Sequence, residues 1–208
     1  VADWSLKDSI LTLNPHKNGQ TIAEAPKIWY FVPGCGKKDL GTAINRHCEL
    51  VPNPDDWVLV RDNDTMFAAP FINKQLEDII SKHGSRYQLF SCYTNRLGLE
   101  HQLPNGMMQT PDLLELRGLA EKHYSEHYDE VIPSDKPTAG LFMLFQKKTW
   151  LEHKFESGLA SNGDFIDYKF ANGLLQKGFK IGICAGIFMM HYYRLHQSNA
   201  REHRHLMV

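Results

Sequence analysis

The sequence predicts a single-domain α/β protein with a mostly parallel central sheet and helices on both faces. Two observations predict it. Apolar runs rich in β-branched and aromatic residues (28–32, 57–60 and 87–92) alternate with segments of helical period (39–50 and 71–82). This β-α-β-α-β rhythm implies parallel strands joined by covering helices. No internal repeat or low-complexity linker divides the 208 residues, a length that suffices for one substantial core.

Each element has its own signal. Residues 1–26 are polar and irregular, with Asn14-Pro15 and Asn18-Gly19 as turn signals. Ile28-Trp29-Tyr30-Phe31-Val32, bounded by Pro33-Gly34, is a buried first strand. A helix over 39–50 carries Leu40, Ile44 and Cys48 one turn apart on one face. The run 57–60 is the second strand. The helix over 71–82 turns Phe71, Leu76, Ile79 and Ile80 inward, with Gly84 shortly after its end. Residues 87–92 form a third strand and 93–110 a loop. Thr110 then caps, and Pro111 opens, a helix running to about residue 129. A strand at 140–145 follows. Asp164 is placed to cap a helix that runs to about residue 177 and stops at Gly178. Strands at 179–184 and 187–191 precede a tail, 195–208, rich in His and Arg.

Composition excludes several function classes. Hydrophobic residues at 42%, charged residues at 23% and aromatics at 11% describe an ordinary soluble globular protein. A net charge of −1 gives no sign of a nucleic-acid-binding surface. Cys35, Cys48, Cys92 and Cys184 lack the paired spacing of a zinc knuckle or a dense disulfide framework. Reduced thiols in a cytoplasmic protein are therefore expected. No apolar run approaches the ~20 residues that cross a bilayer, and residues 1–8 do not have the pattern of a secretory leader.

The chemistry concentrates after the second strand, at Asp62-Asn63-Asp64. Open α/β sheets bind ligands outside the carboxyl ends of their strands, so these acids belong at the rim of a site. Two like charges there are unfavourable unless a cation neutralises them. Hard oxygen ligands suit Mg²⁺ or Mn²⁺, ions usually shared with substrate phosphates. Turns after strands also favour Asp and Asn for local hydrogen bonding alone. Asp167 lies in the first turn of its helix, where the dipole stabilises a carboxylate. His191 ends an apolar strand. His123 and His127, at i and i+4, have a spacing that can bind zinc, but no third ligand is spaced to join them, so a surface pair is expected. Tyr124, Tyr128 and Trp150 suit either sugar stacking or packing. Cys35 has no paired base in view and so no case as a nucleophile. The stretch 201–205 reads as a charged, frayed terminus.

Taken in chain order, four stretches resemble the nucleotide-sugar-dependent glycosyltransferases of the GT-A fold, those of family 2 most of all. Residues 28–33 resemble the family's opening strand-to-loop, where base and ribose bind. Asp62-Asn63-Asp64 resembles its D-x-D element. Residues 140–150 resemble the strand in which a Gly begins an apolar run and a basic pair ends it. Asp167 through Gly178, closing on His191, resembles the acidic helix start, terminating Gly, strand and metal-binding His that end the catalytic domain. There are departures: the stretch 34–56 is too short for the family's usual extra strand and helix, and Ile166 stands where another acid normally precedes the base.

The resemblance implies a catalytic domain over 27–194, with 93–138 as a variable acceptor-side segment. It implies a divalent cation, Mn²⁺ or Mg²⁺, held by Asp64 and His191, with Asp62 nearer the ribose or bridged through water. Pro33, Gly34, Lys37, Asp62, Asn63 and Arg194 would contact the nucleotide or its diphosphate. Asp167 would be the general base, with Asp164 as the alternative. A single base without a nucleophile implies inversion at the anomeric carbon. The partners would be a UDP- or GDP-sugar donor and a glycan or other hydroxyl acceptor. Two rivals remain. A nucleotidyltransferase of the same fold would use a Gly-rich basic loop, of which Gly34-Cys35-Gly36-Lys37-Lys38 is a faint version. A non-catalytic sugar- or nucleotide-binding module would bind without turnover.

Overall fold

A computed structural model describes residues 25–34, 39–95, 97–104, 112–158 and 165–192. Strand β1 (Ile28–Phe31) leads through helix α1 (Leu40–Leu50) to β2 (Trp57–Arg61). A short β3 (Thr65–Phe67), α2 (Ile72–His83) and β4 (Leu89–Thr94) follow. A 3-10 turn (Glu100–Gln102) precedes α3 (Leu113–His127), β5 (Val131–Ser134) and β6 (Phe142–Gln146). The chain then passes through α4 (Lys147–Glu152) and α5 (Ile166–Gln176) into the long β7 (Ile181–His191).

The seven strands form one sheet in the order β1-β2-β6-β4-β7-β3, with β5 pairing on β7. The sheet is mixed, which corrects the expectation of a mostly parallel one. Among the described residues only β1/β2 and β4/β7 run parallel, and β6 enters between β2 and β4 antiparallel to both. A strand buried on both faces carries a continuous apolar run whichever way it points, so the run itself does not report direction.

Helices on both faces are as expected, and β2 shows why. Its side chains alternate across the sheet. Trp57 and Leu59 pack with Leu76, Ile79 and Ile80 of α2, while Val58 and Val60 pack with Ile44 and Cys48 of α1 and with Phe170 and Leu174 of α5. On β7, Phe188 and Met190 receive Leu116 and Ala120 of α3. Cys48, Cys92 and Cys184 are free thiols buried in these layers. Among the described residues, no helix is long and apolar enough to cross a membrane.

Several boundaries differ from expectation. Phe71 does not point inward: it is the cap residue of α2, in the left-handed region at φ 58°, and is 76% exposed. The cap of α3 is Asp112, whose side chain accepts from the N–H of Leu114 and Glu115, whereas Thr110 and Pro111 lie outside the described residues. The two strands expected over 179–191 are one, and the irregularity between them appears as a register shift on β4 between Cys92 and Tyr93. The short elements β3, β5 and α4 carry too few residues for a periodic signal to develop. Gly178, at φ 80°, follows the end of α5 as its sequence position suggests.

Candidate metal centre and adjoining cleft

The turn after β2 is built by its own side chains. The Arg61 guanidinium (Nη1) donates to the carbonyls of Thr65 at 2.7 Å and Asp62 at 3.2 Å, and Thr65 Oγ1 donates to Asp62 O at 2.8 Å. The turn thereby reverses the chain into β3, which pairs antiparallel with the end of β7 and sets Thr65 opposite His191. Tyr192 N–H donates to Asp64 O at 2.8 Å, and His191 N–H donates to Asn95 Oδ1 at 2.7 Å. Both ends of the site are thus fixed through the backbone before any ligand arrives.

On this frame the side chains of Asp62, Asp64 and His191 converge, with one ligand atom from each lying within 4.8 Å of the others. His191 is 5% exposed, and its Nε2 lies 3.5 Å from Asp64 Oδ1. That hydrogen bond holds the Asp64 carboxyl below its ordinary range. Asp62 is displaced the other way. Burial pushes its carboxyl up to about 6, the nearby Asp167 and Asp64 carboxylates add to this, and His191 opposes it. Two carboxylates and a buried imidazole form a donor set that could hold a divalent cation, with one nitrogen favouring Mn²⁺ over Mg²⁺.

The state of Asp62 has a consequence for pH. Because the folded protein retains the proton of Asp62 more strongly than the unfolded chain, this residue contributes a loss of stability as pH rises from about 4 through 6. A cation must displace that proton. Mn²⁺ affinity is therefore expected to fall steeply below pH 6, by about tenfold per pH unit at one proton displaced per ion. Melting temperatures at pH 5, 6 and 7.5, with and without Mn²⁺, test this. Equal Mn²⁺ stabilisation at all three pH values would contradict it.

Asp62 also faces a cleft of about 210 Å³ between the two helices α1 and α5 and the ends of β2 and β6. Pro33, Leu40, Ile44, Asp62, Phe165 and Asp167 are among the residues that line it. Asp167 sits in the first turn of α5, and its Oδ2 accepts from Gly140 N–H at 2.5 Å. Burial raises its carboxyl pKa, and the backbone N–H groups of Gly140 and Tyr168 partly offset that. The close approach explains the glycine: a Cβ on Gly140 would lie 2.7 Å from the Asp167 Cβ.

Of the residues expected to form a site, Asp62, Asp64, His191 and Asp167 come together, and Pro33 lines the same cleft. Asn63 is exposed in the turn, and Gly34 has open space around its Cα. Lys37, Asp164 and Arg194 lie outside the described residues, as does Cys35. Helix α5 begins at Ile166 with Phe165 in the cap position, and the expected cap Asp164 falls among the residues not described.

The His123/His127 pair is not the surface pair expected. His123 is buried, its ring stacks on Phe188, and its Nδ1 lies 3.0 Å from Ala185 O; His127 contacts Glu130 instead. Trp150 and Tyr128 are held in the fold by hydrogen bonds to Asn45 and Asp78. Sequence reasoning missed Arg61, Asn95 and Gly140 as parts of the site. Only Gly140 left a signal, as the glycine opening an apolar run, and its partner lies 27 positions away.

A comparison with models of known protein families, and one with curated proteins, find no match to this chain. The chemistry of the site accordingly rests on its own geometry.

Proposed function

We propose that this protein is a metal-dependent, inverting glycosyltransferase of GT-A-like architecture that moves a sugar from a nucleoside-diphosphate sugar to a hydroxyl acceptor. One observation carries this reading: Asp62 belongs both to the Asp62/Asp64/His191 cluster and to the cleft that Asp167 also lines. A site for a cation and a separate carboxylate base thus flank one cleft. This is what transfer from a diphosphate leaving group requires.

Under this reading, Asp62, Asp64 and His191 would hold a divalent cation, which would supply Lewis-acid stabilisation of the diphosphate leaving group. Asp167 receives the proton of the acceptor hydroxyl as the acceptor oxygen bonds to the anomeric carbon and the bond from that carbon to the diphosphate breaks. Gly140 N–H fixes the carboxylate through Oδ2. No second nucleophile is needed, so the product is inverted. Among the described residues Arg61 is the cation that lines the cleft, and its guanidinium is committed to the turn.

Thermal melts with UDP, GDP, CDP, ATP and CTP, each with Mn²⁺ or with EDTA, test the proposal. Ligand at ~100 times its dissociation constant stabilises by about 2.7 kcal/mol. The expected result is Mn²⁺-dependent stabilisation by one diphosphate. Preference for a triphosphate would replace the reading with nucleotidyl transfer, and no shift with any nucleotide would leave a non-catalytic module.

A further inference from the structure

Two non-glycine residues of the described chain have positive φ, and both are phenylalanines: Phe71 and Phe165. A bulky side chain in this region is strained, and such strain persists where the surrounding structure enforces it, often at ligand contacts. Phe165 stands at φ 28°, ψ 44°, immediately before α5. Its ring is 40% exposed and is not part of any core cluster, yet it lines the cleft beside Asp167. Tyr168, also 40% exposed, meets it edge-on with centroids 6.4 Å apart. Helix formation alone does not call for this residue, since polar caps or glycine serve better at this position.

We propose that Phe165 is the platform on which the acceptor's sugar ring stacks, an inference that rests on the transferase reading for the role of Asp167. The chemistry of the walls selects the occupant. An exposed aromatic face pairs with an apolar ring face, while the carboxylates of Asp62 and Asp167 accept hydrogen bonds from hydroxyls. A pyranose offers both surfaces. A phosphate group beside Phe165 would meet the Asp167 carboxylate, while the Arg61 guanidinium is committed to its turn, so it is disfavoured there. Because Phe165 and Asp167 line the same cleft, a ring stacked on Phe165 shares that space with the base. The acceptor is therefore a glycan or glycoside rather than an acyclic alcohol.

The test uses the full chain with Mn²⁺ and UDP. Saturation-transfer NMR with methyl glycosides of glucose, galactose, mannose and N-acetylglucosamine, with glycerol as the acyclic control, reads binding directly. At least one methyl glycoside is expected to bind through its C–H face, and glycerol is not. Phe165→Gly, whose glycine accepts the positive φ, should keep the fold and weaken that binding about tenfold or more. Phe165→Trp should retain binding. Unchanged glycoside affinity in Phe165→Gly would overturn the proposal. Failure of every glycoside to bind the wild-type chain would overturn it too. Turnover of nucleotide sugars by the wild-type chain decides the transferase reading separately, so the two can fail independently.

Discussion

Asp64→Ala is expected to abolish Mn²⁺-dependent donor binding while leaving the fold nearly intact. Losing a residue that only orients a metal ligand typically costs 10–100-fold in affinity, so removing a ligand itself should cost about 100-fold or more. The structural cost is small. The Asp64 side chain is 42% exposed, and its contact with His191 is therefore largely screened, worth no more than about 1 kcal/mol. His191→Ala would be a poorer test, because it empties a buried position and confuses metal loss with destabilisation. Mn²⁺ titration by calorimetry, paired with a metal-free thermal melt, separates the two effects. Wild-type Mn²⁺ affinity in the variant would remove Asp64 from the site.

Asp167→Asn should retain donor binding and lose turnover by about 10²–10⁴-fold, the usual contribution of a general base. The substitution is nearly isosteric, and the amide oxygen can still accept from Gly140 N–H, so the side chain keeps its place. What disappears is the capacity to take a proton. A second readout follows from the charge lost. The Asp167 carboxylate is one of the causes that raise Asp62, so its removal should lower the pH below which Mn²⁺ binding fails. Comparison with Asp164→Asn completes the test: loss of turnover there, with Asp167→Asn still active, would exchange the assigned roles.

The architecture was partly legible because its signals are local. The runs at β1, β2 and β4, the apolar stripes of α1 and α2 and the glycine that ends α5 all speak through neighbouring residues. The D-x-D pair was legible for the same reason, since an acid at the end of a strand is visible without knowing the partner strand. Phe71 marks where this fails. Its apolar side chain reads as core by periodicity, but the chain reverses through it, and it ends exposed at a left-handed cap. His123 fails in the opposite sense: helical spacing suggested a surface pair, but α3 packs on β7 and buries it against Phe188.

Hydrophobic patterning and turn chemistry, which act over a few residues, sufficed to indicate an α/β domain, most of its strands and helices, and the acids at their ends. Strand direction and adjacency were settled only by tertiary pairing, which inserts β6 antiparallel between β2 and β4. The same pairing assembles the site. It carries His191 from the far end of β7 to Asp64 through the three residue pairs of β3, and it brings Gly140 against Asp167. Such contacts join positions dozens of residues apart. Their energy depends on the packing of two whole sheet faces, for which no short stretch of sequence carries a signature.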